Sequence, residues 1–156
     1  AREYLQRQGF VHYEIANYAR PGHYCRHNLT YWRNLPYLGL GLGAHSFWEG
    51  KRLANTRQLE RYQRELAAGK LPVTETIPVS RRQEMEDTMM LGLRLREGVS
   101  LQDFRQRFGL DLTAVFAPQL ARLQNMGLLV CDEEKVRLTA EGLPVANTVI
   151  AEFISF

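Results

Sequence analysis

The chain has 156 residues, enough for one large domain or two small ones around a true hydrophobic core. Hydrophobic residues make up 45% and charged residues 24%, the balance of a water-soluble globular protein, and no apolar run is long enough to span a bilayer. The net charge of +3 divides unevenly: residues 1–70 carry 11 Lys and Arg against 5 Asp and Glu, whereas residues 71–156 carry 9 against 12. The basic half is therefore the expected place for an anionic ligand, a carboxylate, propionate or phosphate, and the acidic half is poorly suited to a nucleic-acid backbone. Cys25 and Cys131 form no ladder of spacings, which predicts a reducing, cytoplasmic setting rather than a disulfide framework. The opening stretch, AREYLQRQGF, does not read as a secretory leader.

Residues 2–8 read as the tail of a helix stopped by Gly9, with a strand over 10–15. Opening in mid-helix without Met, the chain reads as the C-terminal piece of something longer. A long loop follows, then a strand over 37–42, which together suggest an α/β unit. The loop's aromatic content argues against disorder. A hairpin is expected over 46–54, turning at Glu49-Gly50-Lys51, and then a helix over 56–68 with Leu59, Tyr62 and Leu66 at helical spacing. Residues 71–79 hold two prolines and no helical period, and the charge balance changes sign there, so they read as a linker between domains 1–70 and 80–156.

Beyond the linker, Ser80 opens a helix to about Arg96, and Ser100 opens a second to Phe108. Asp111 opens a third, in which Pro118 marks a kink or a broken start. Residues 128–131 and 135–138 form a hairpin about an Asp-Glu-Glu turn, and a final helix begins near Thr139. Three helices, a hairpin and a closing helix make a winged-helix-like domain. A nucleic-acid-binding module is one reading of that shape. Its third helix, however, carries one basic residue, Arg122, and its wing carries Asp132, Glu133 and Glu134, which argues against phosphate contact.

The chemistry is concentrated between Tyr13 and His45. Cys25 and His27 stand two residues apart beside Arg20, Arg26, Arg33, Tyr31 and Trp32. Cys and His ligate haem iron and arginines suit propionates, so a haem site is one reading. A zinc site would need further ligands from His12, His23 and His45, a Cys–His catalytic pair lacks a surrounding motif, and a loop histidine bonded to backbone is the plain alternative. Gly39-Leu40-Gly41-Leu42-Gly43-Ala44-His45 matches G-x-G-x-x-A formally, but no helix follows to receive a pyrophosphate. The alternating glycines are expected to bare one strand face, either for a flat ligand or for a helix packed closely against it.

The segment HNLTYW (His27 to Trp32), preceded by YEIANYARPG and followed by YLGLGLGAHS, resembles the C-terminal part of the HemW-type radical-SAM proteins. These are relatives of oxygen-independent coproporphyrinogen III oxidase regarded as haem chaperones. GLLVCDEEKVRLTAEGLPVANTVIAEFI is similar to the family's closing module. The resemblance implies an α/β fold: the C-terminal part of a partial (β/α) radical-SAM barrel over 1–70, then the mostly helical winged-helix-like domain. It implies a [4Fe–4S] cluster and S-adenosylmethionine in the intact protein, with haem as cargo for acceptor haemoproteins, including membrane-associated ones. The family's C-x-x-x-C-x-x-C cluster motif is absent from this chain. By the resemblance, His27, Tyr31, Trp32 and Cys25 are the haem-associated residues. Gly39, Gly41, Gly43, Ala44 and His45 are the wall toward S-adenosylmethionine. The expected function is haem chaperoning, and the alternative is the oxidase's decarboxylation in porphyrin biosynthesis.

Overall fold

The computed structural model describes residues 2–154. It divides into two compact units, Ala1–Asn34 with Met85–Phe156, and Leu35–Glu84. Neither follows the 1–70 and 80–156 division suggested by composition.

In the first unit, α1 (Arg2–Arg7) ends at Gly9, whose φ of +79° favours glycine. β1 (Val11–Glu14) then folds back antiparallel on β2 (Asn17–Ala19), and α2 (Arg26–Trp32) follows. The stretch expected to be one long loop thus carries a hairpin and a helix. Leu29 and Trp32, three residues apart, bring one side of α2 onto Tyr13, Ala19 and Leu95. A helix of under two turns with two inward apolar residues leaves almost no periodic signal.

The helix α4 (Arg81–Gly92) opens at Ser80, whose Oγ accepts from the Gln83 N–H at 3.2 Å. It stops before the expected Arg96, because the chain turns to meet β1. Ile15 N–H donates to the Arg94 carbonyl and Arg96 N–H to the Tyr13 carbonyl, both at 3.0 Å. β6 (Val99–Ser100) leads into α5 (Leu101–Phe108), where Ser100 Oγ accepts from Asp103 N–H at 3.1 Å and Gly109 turns left-handed. The expected third helix is broken: α6 (Leu112–Val115) gives way at Phe116 to α7 (Ala117–Asn125), with Pro118 in its first turn. Proline is tolerated there because the first turn has no amide partner to lose.

β7 (Leu129–Cys131) and β8 (Lys135–Leu138) form the wing, and the sheet order is β6-β8-β7. The last helix starts later than Thr139, as a 3₁₀ turn over Leu143–Val145 followed by α8 (Ala146–Ala151). One apolar cluster runs through these elements, with Met89, Leu93, Phe116, Val136 and Val149 fully enclosed. The Phe116 ring meets those of Phe104 and Phe153 edge-on at 6.3 and 5.5 Å.

The second unit is an antiparallel meander of β3 (His45–Trp48), β4 (Lys51–Asn55) and β5 (Val73–Pro78), with α3 (Leu59–Ala67) between the last two strands. Glu49 and Gly50, at φ of +49° and +68°, form a two-residue turn of the type that twisted hairpins require. The stretch 71–79 is not a free linker, since β5 pairs with β4 from Val73 to Pro78. Its alternating Thr74 and Thr76 suit a strand, and Pro78 is accommodated because β5 lies at the sheet edge. The strand expected over 37–42 is reduced to a single bridge, Tyr37 to Phe47.

Candidate functional site: the motif helix and the glycine loop

Cys25 stands in an extended conformation before α2, its side chain exposed and making no cap hydrogen bond. His27 is exposed on the first turn, and the Tyr31 ring, one turn on, meets its imidazole edge-on at 4.7 Å. Trp32 turns away from this pair. It is half-buried, its Nε1 has no partner among the described residues, and the Arg94 guanidinium lies 4.6 Å over its ring. Of the four residues associated with haem by resemblance, His27 and Tyr31 therefore touch, and Trp32 serves the other face of the helix.

That face is held by an arrangement the sequence reading did not single out. Glu14, wholly buried on β1, pairs with Arg94 at 2.8 Å and also accepts from Ala16 N–H and Asn17 Nδ2. Arg94 thus links the hairpin to Trp32. An acidic residue in a strand reads as solvent-facing, so the only hint in the sequence was the long-range demand for a partner. Two hollows flank α2. One of about 300 Å³ is lined by Trp32, Met90, Leu91, Arg94, Ile150 and Ile154. The other, of about 190 Å³, is lined by β1, Tyr24, Leu29, Arg33 and the turn Leu95–Glu97.

In the second unit the glycine segment is a loop, not a strand. Gly41 and Gly43, at φ of +107° and +63°, cannot continue extended pairing. A Cβ at Gly39 would collide with the His45 carbonyl, so this glycine answers a close approach by its own loop. Over Gly41 the space is open. All three glycine amides are engaged inside the unit: Gly39 donates to Ser46 Oγ at 3.0 Å, Gly41 to Tyr62 Oη at 3.2 Å and Gly43 to the Thr56 carbonyl at 2.9 Å. Asn55 Nδ2 donates to the Gly39 and Gly41 carbonyls, and Asn55 N–H to that of Ala44. The loop can therefore offer a ligand shape but few free donors. His45 is exposed at the start of β3, opposite Ala54.

Among the described residues no three His, Cys, Asp or Glu side chains come together as a metal site. Cys25 and Cys131 are single free thiols, and burial followed by Asp132 pushes the Cys131 thiol up from its usual range. These residues do not fit an iron–sulfur cluster, which needs clustered thiolates.

Residues 79–145 match the HemN C-terminal domain. Against the heme chaperone HemW of Bacillus subtilis the chain is 35% identical over 150 residues, 96% of its own length. Against HemW of Synechocystis it is 49% identical over 102 residues, 64% of its length. The chain carries the HemN C-terminal domain.

It spans 40% and 24% of those two HemW proteins. Its fold is that of the coproporphyrinogen III oxidase HemN of Escherichia coli, a radical SAM enzyme, with a TM-score of 0.69 over 97% of the chain and 38% of HemN, at 19% identity. The mixed α/β class and the C-terminal winged-helix-like part are thus established. The described strands pair antiparallel throughout.

Proposed function

We propose that the intact protein is a haem chaperone and that this chain meets haem at α2. The observation that carries the reading is His27. Its imidazole is exposed, has no hydrogen-bond partner among the described residues, and is braced by Tyr31 on a helix anchored from behind by Leu29 and Trp32. An imidazole free at both nitrogens suits an iron ligand, and a flat phenol beside it suits a porphyrin edge. The relatives named heme chaperone HemW support the reading.

In this proposal the role of the chain is to hold cargo for transfer to acceptor haemoproteins in the cytoplasm or at a membrane surface. No described helix is long and apolar enough to cross a membrane itself. Cys25, two residues from His27, is the second candidate for contact with haem. The glycine loop, cleared over Gly41, would form part of the wall toward S-adenosylmethionine by shape, with Gly39, Gly43, Ala44 and His45 framing it. The iron–sulfur chemistry would belong to residues other than these.

Haem titration of the full-length protein, followed by its Soret band, tests the assignment. His27→Ala is expected to shift the band and weaken binding by on the order of tenfold, about 1.4 kcal/mol. An unchanged band and affinity would remove His27 as the ligand.

The likeness to the HemN oxidase favours a second reading, decarboxylation of coproporphyrinogen. Product analysis with coproporphyrinogen, reconstituted cluster and S-adenosylmethionine separates the two. A chaperone yields no protoporphyrinogen.

A further inference from the structure

The smaller hollow beside α2 has an unbalanced charge. Its floor is aromatic: the Tyr13 and Tyr24 rings stack at 4.8 Å, 21° from parallel. Val11, Leu29 and Leu95 add apolar surface. At its rim Glu97 is already committed, with one carboxylate oxygen 2.9 Å from Arg33 and the other 3.9 Å from Lys135.

Arg96 has no such partner. Its Nη1 is buried without an acceptor among the described residues. Burial, and then the like charge of Arg2, push its guanidinium below the usual arginine range. The third polar group is His12, stacked on Tyr18 with Nε2 facing the Ile15 carbonyl at 3.0 Å. Its Nδ1 is also buried and unpartnered. A partly buried arginine with one guanidinium nitrogen lacking an acceptor, and with the nearest acid spent elsewhere, is a ready partner for an anion that enters the hollow.

We infer that this hollow receives a carboxylate carried on a flat apolar body, with Arg96 as the residue that binds it. The proposal rests on the haem reading, under which the carboxylate is a propionate of the porphyrin. At about 190 Å³ the hollow is smaller than the roughly 300–1,000 Å³ that encloses a whole drug-sized ligand, so it takes an edge of the cargo and not its body. Arg96 is seven residues beyond Met89 in the core helix and far along the chain from HNLTYW, so only folding brings it to α2.

The test compares haem with haem dimethyl ester, in which both carboxylates are capped, as ligands of the full-length protein and its Arg96→Gln and Arg96→Lys variants. Far-ultraviolet circular dichroism checks that each variant is folded. The wild type is expected to bind haem on the order of tenfold tighter than the ester. Arg96→Gln should lose that preference while binding the ester as the wild type does, and Arg96→Lys should keep part of it. A wild type without preference overturns the inference and leaves the haem reading standing, as does Arg96→Gln with its preference intact. A wild type that binds neither ligand overturns the haem reading, and the inference with it.

Discussion

At the scale of single residues, the carboxylate of Glu14 sits with zero exposure where an unpaired charge would cost several kcal/mol. Arg94 neutralises it through Nε at 3.0 Å and Nη2 at 2.8 Å, and the Ala16 amide supplies a further donor at 2.9 Å. The same guanidinium covers the Trp32 ring, so one side chain fixes the β1–β2 hairpin and the inner face of α2 together. Removing the acid leaves Arg94, whose side chain is 27% exposed, without its anion. Glu14→Ala is therefore expected to lower stability by about 3 kcal/mol, measured as the midpoint and slope of urea unfolding. A loss under about 1 kcal/mol would mean that water replaces Glu14 at Arg94. His27 and Tyr31 were legible in the sequence because they lie one helical turn apart in a dense motif. Glu14 and Arg94 were not, since each is the other's partner 80 residues away along the chain, and Arg96 was not, since only folding brings it beside α2.

At the scale of elements, the wing shows how a short turn is fixed. Asp132 Oδ1 accepts from Glu134 N–H at 3.0 Å and Lys135 N–H at 2.8 Å, while Oδ2 meets Arg137 Nη1 at 2.6 Å. The two backbone donors, then Arg137, hold the Asp132 carboxyl below its ordinary value of 3.8. A lowered carboxyl pKa contributes stability above the ordinary value, and that contribution is lost as pH falls through the folded value. Asp132→Ala should therefore speed amide exchange at Glu134 and Lys135 at neutral pH, and the difference from wild type should close in strong acid. Equal exchange at neutral pH would show that the turn does not depend on this side chain. The acidic run was legible as a turn but not as a self-capped one, because its capping depends on backbone direction. The break at Phe116 was legible through Pro118. The expected glycine strand failed for a local reason: the left-handed φ at Gly41 and Gly43 suits a folded loop.

At the scale of the whole molecule, the winged-helix-like arrangement is present without the charge that a DNA reader needs. The one basic residue of α7, Arg122, is ion-paired with Glu152, and the wing's Arg137 is held by Asp132. With these cations neutralised, few counterions would be released from a duplex. Fluorescence anisotropy with random duplex DNA at moderate salt should show no binding tighter than about 10⁻⁴ M, the weak end of non-specific association. Saturation at micromolar protein would restore the nucleic-acid reading.

The sequence by itself determined what local chemistry encodes: the caps at Ser80 and Ser100, the turns of the β3–β4 and β7–β8 hairpins, the periodic faces of the C-terminal helices and the HNLTYW motif on which the resemblance rests. Each depends on neighbours within a few residues, where propensity and spacing suffice. Tertiary structure alone decided that 71–79 is an edge strand, that the composition boundary does not divide the compact units, and that Arg94 and Arg96 turn toward α2. Those outcomes follow from burial and long-range pairing, in which the cost of an unsatisfied charge or amide is settled by a partner far along the chain.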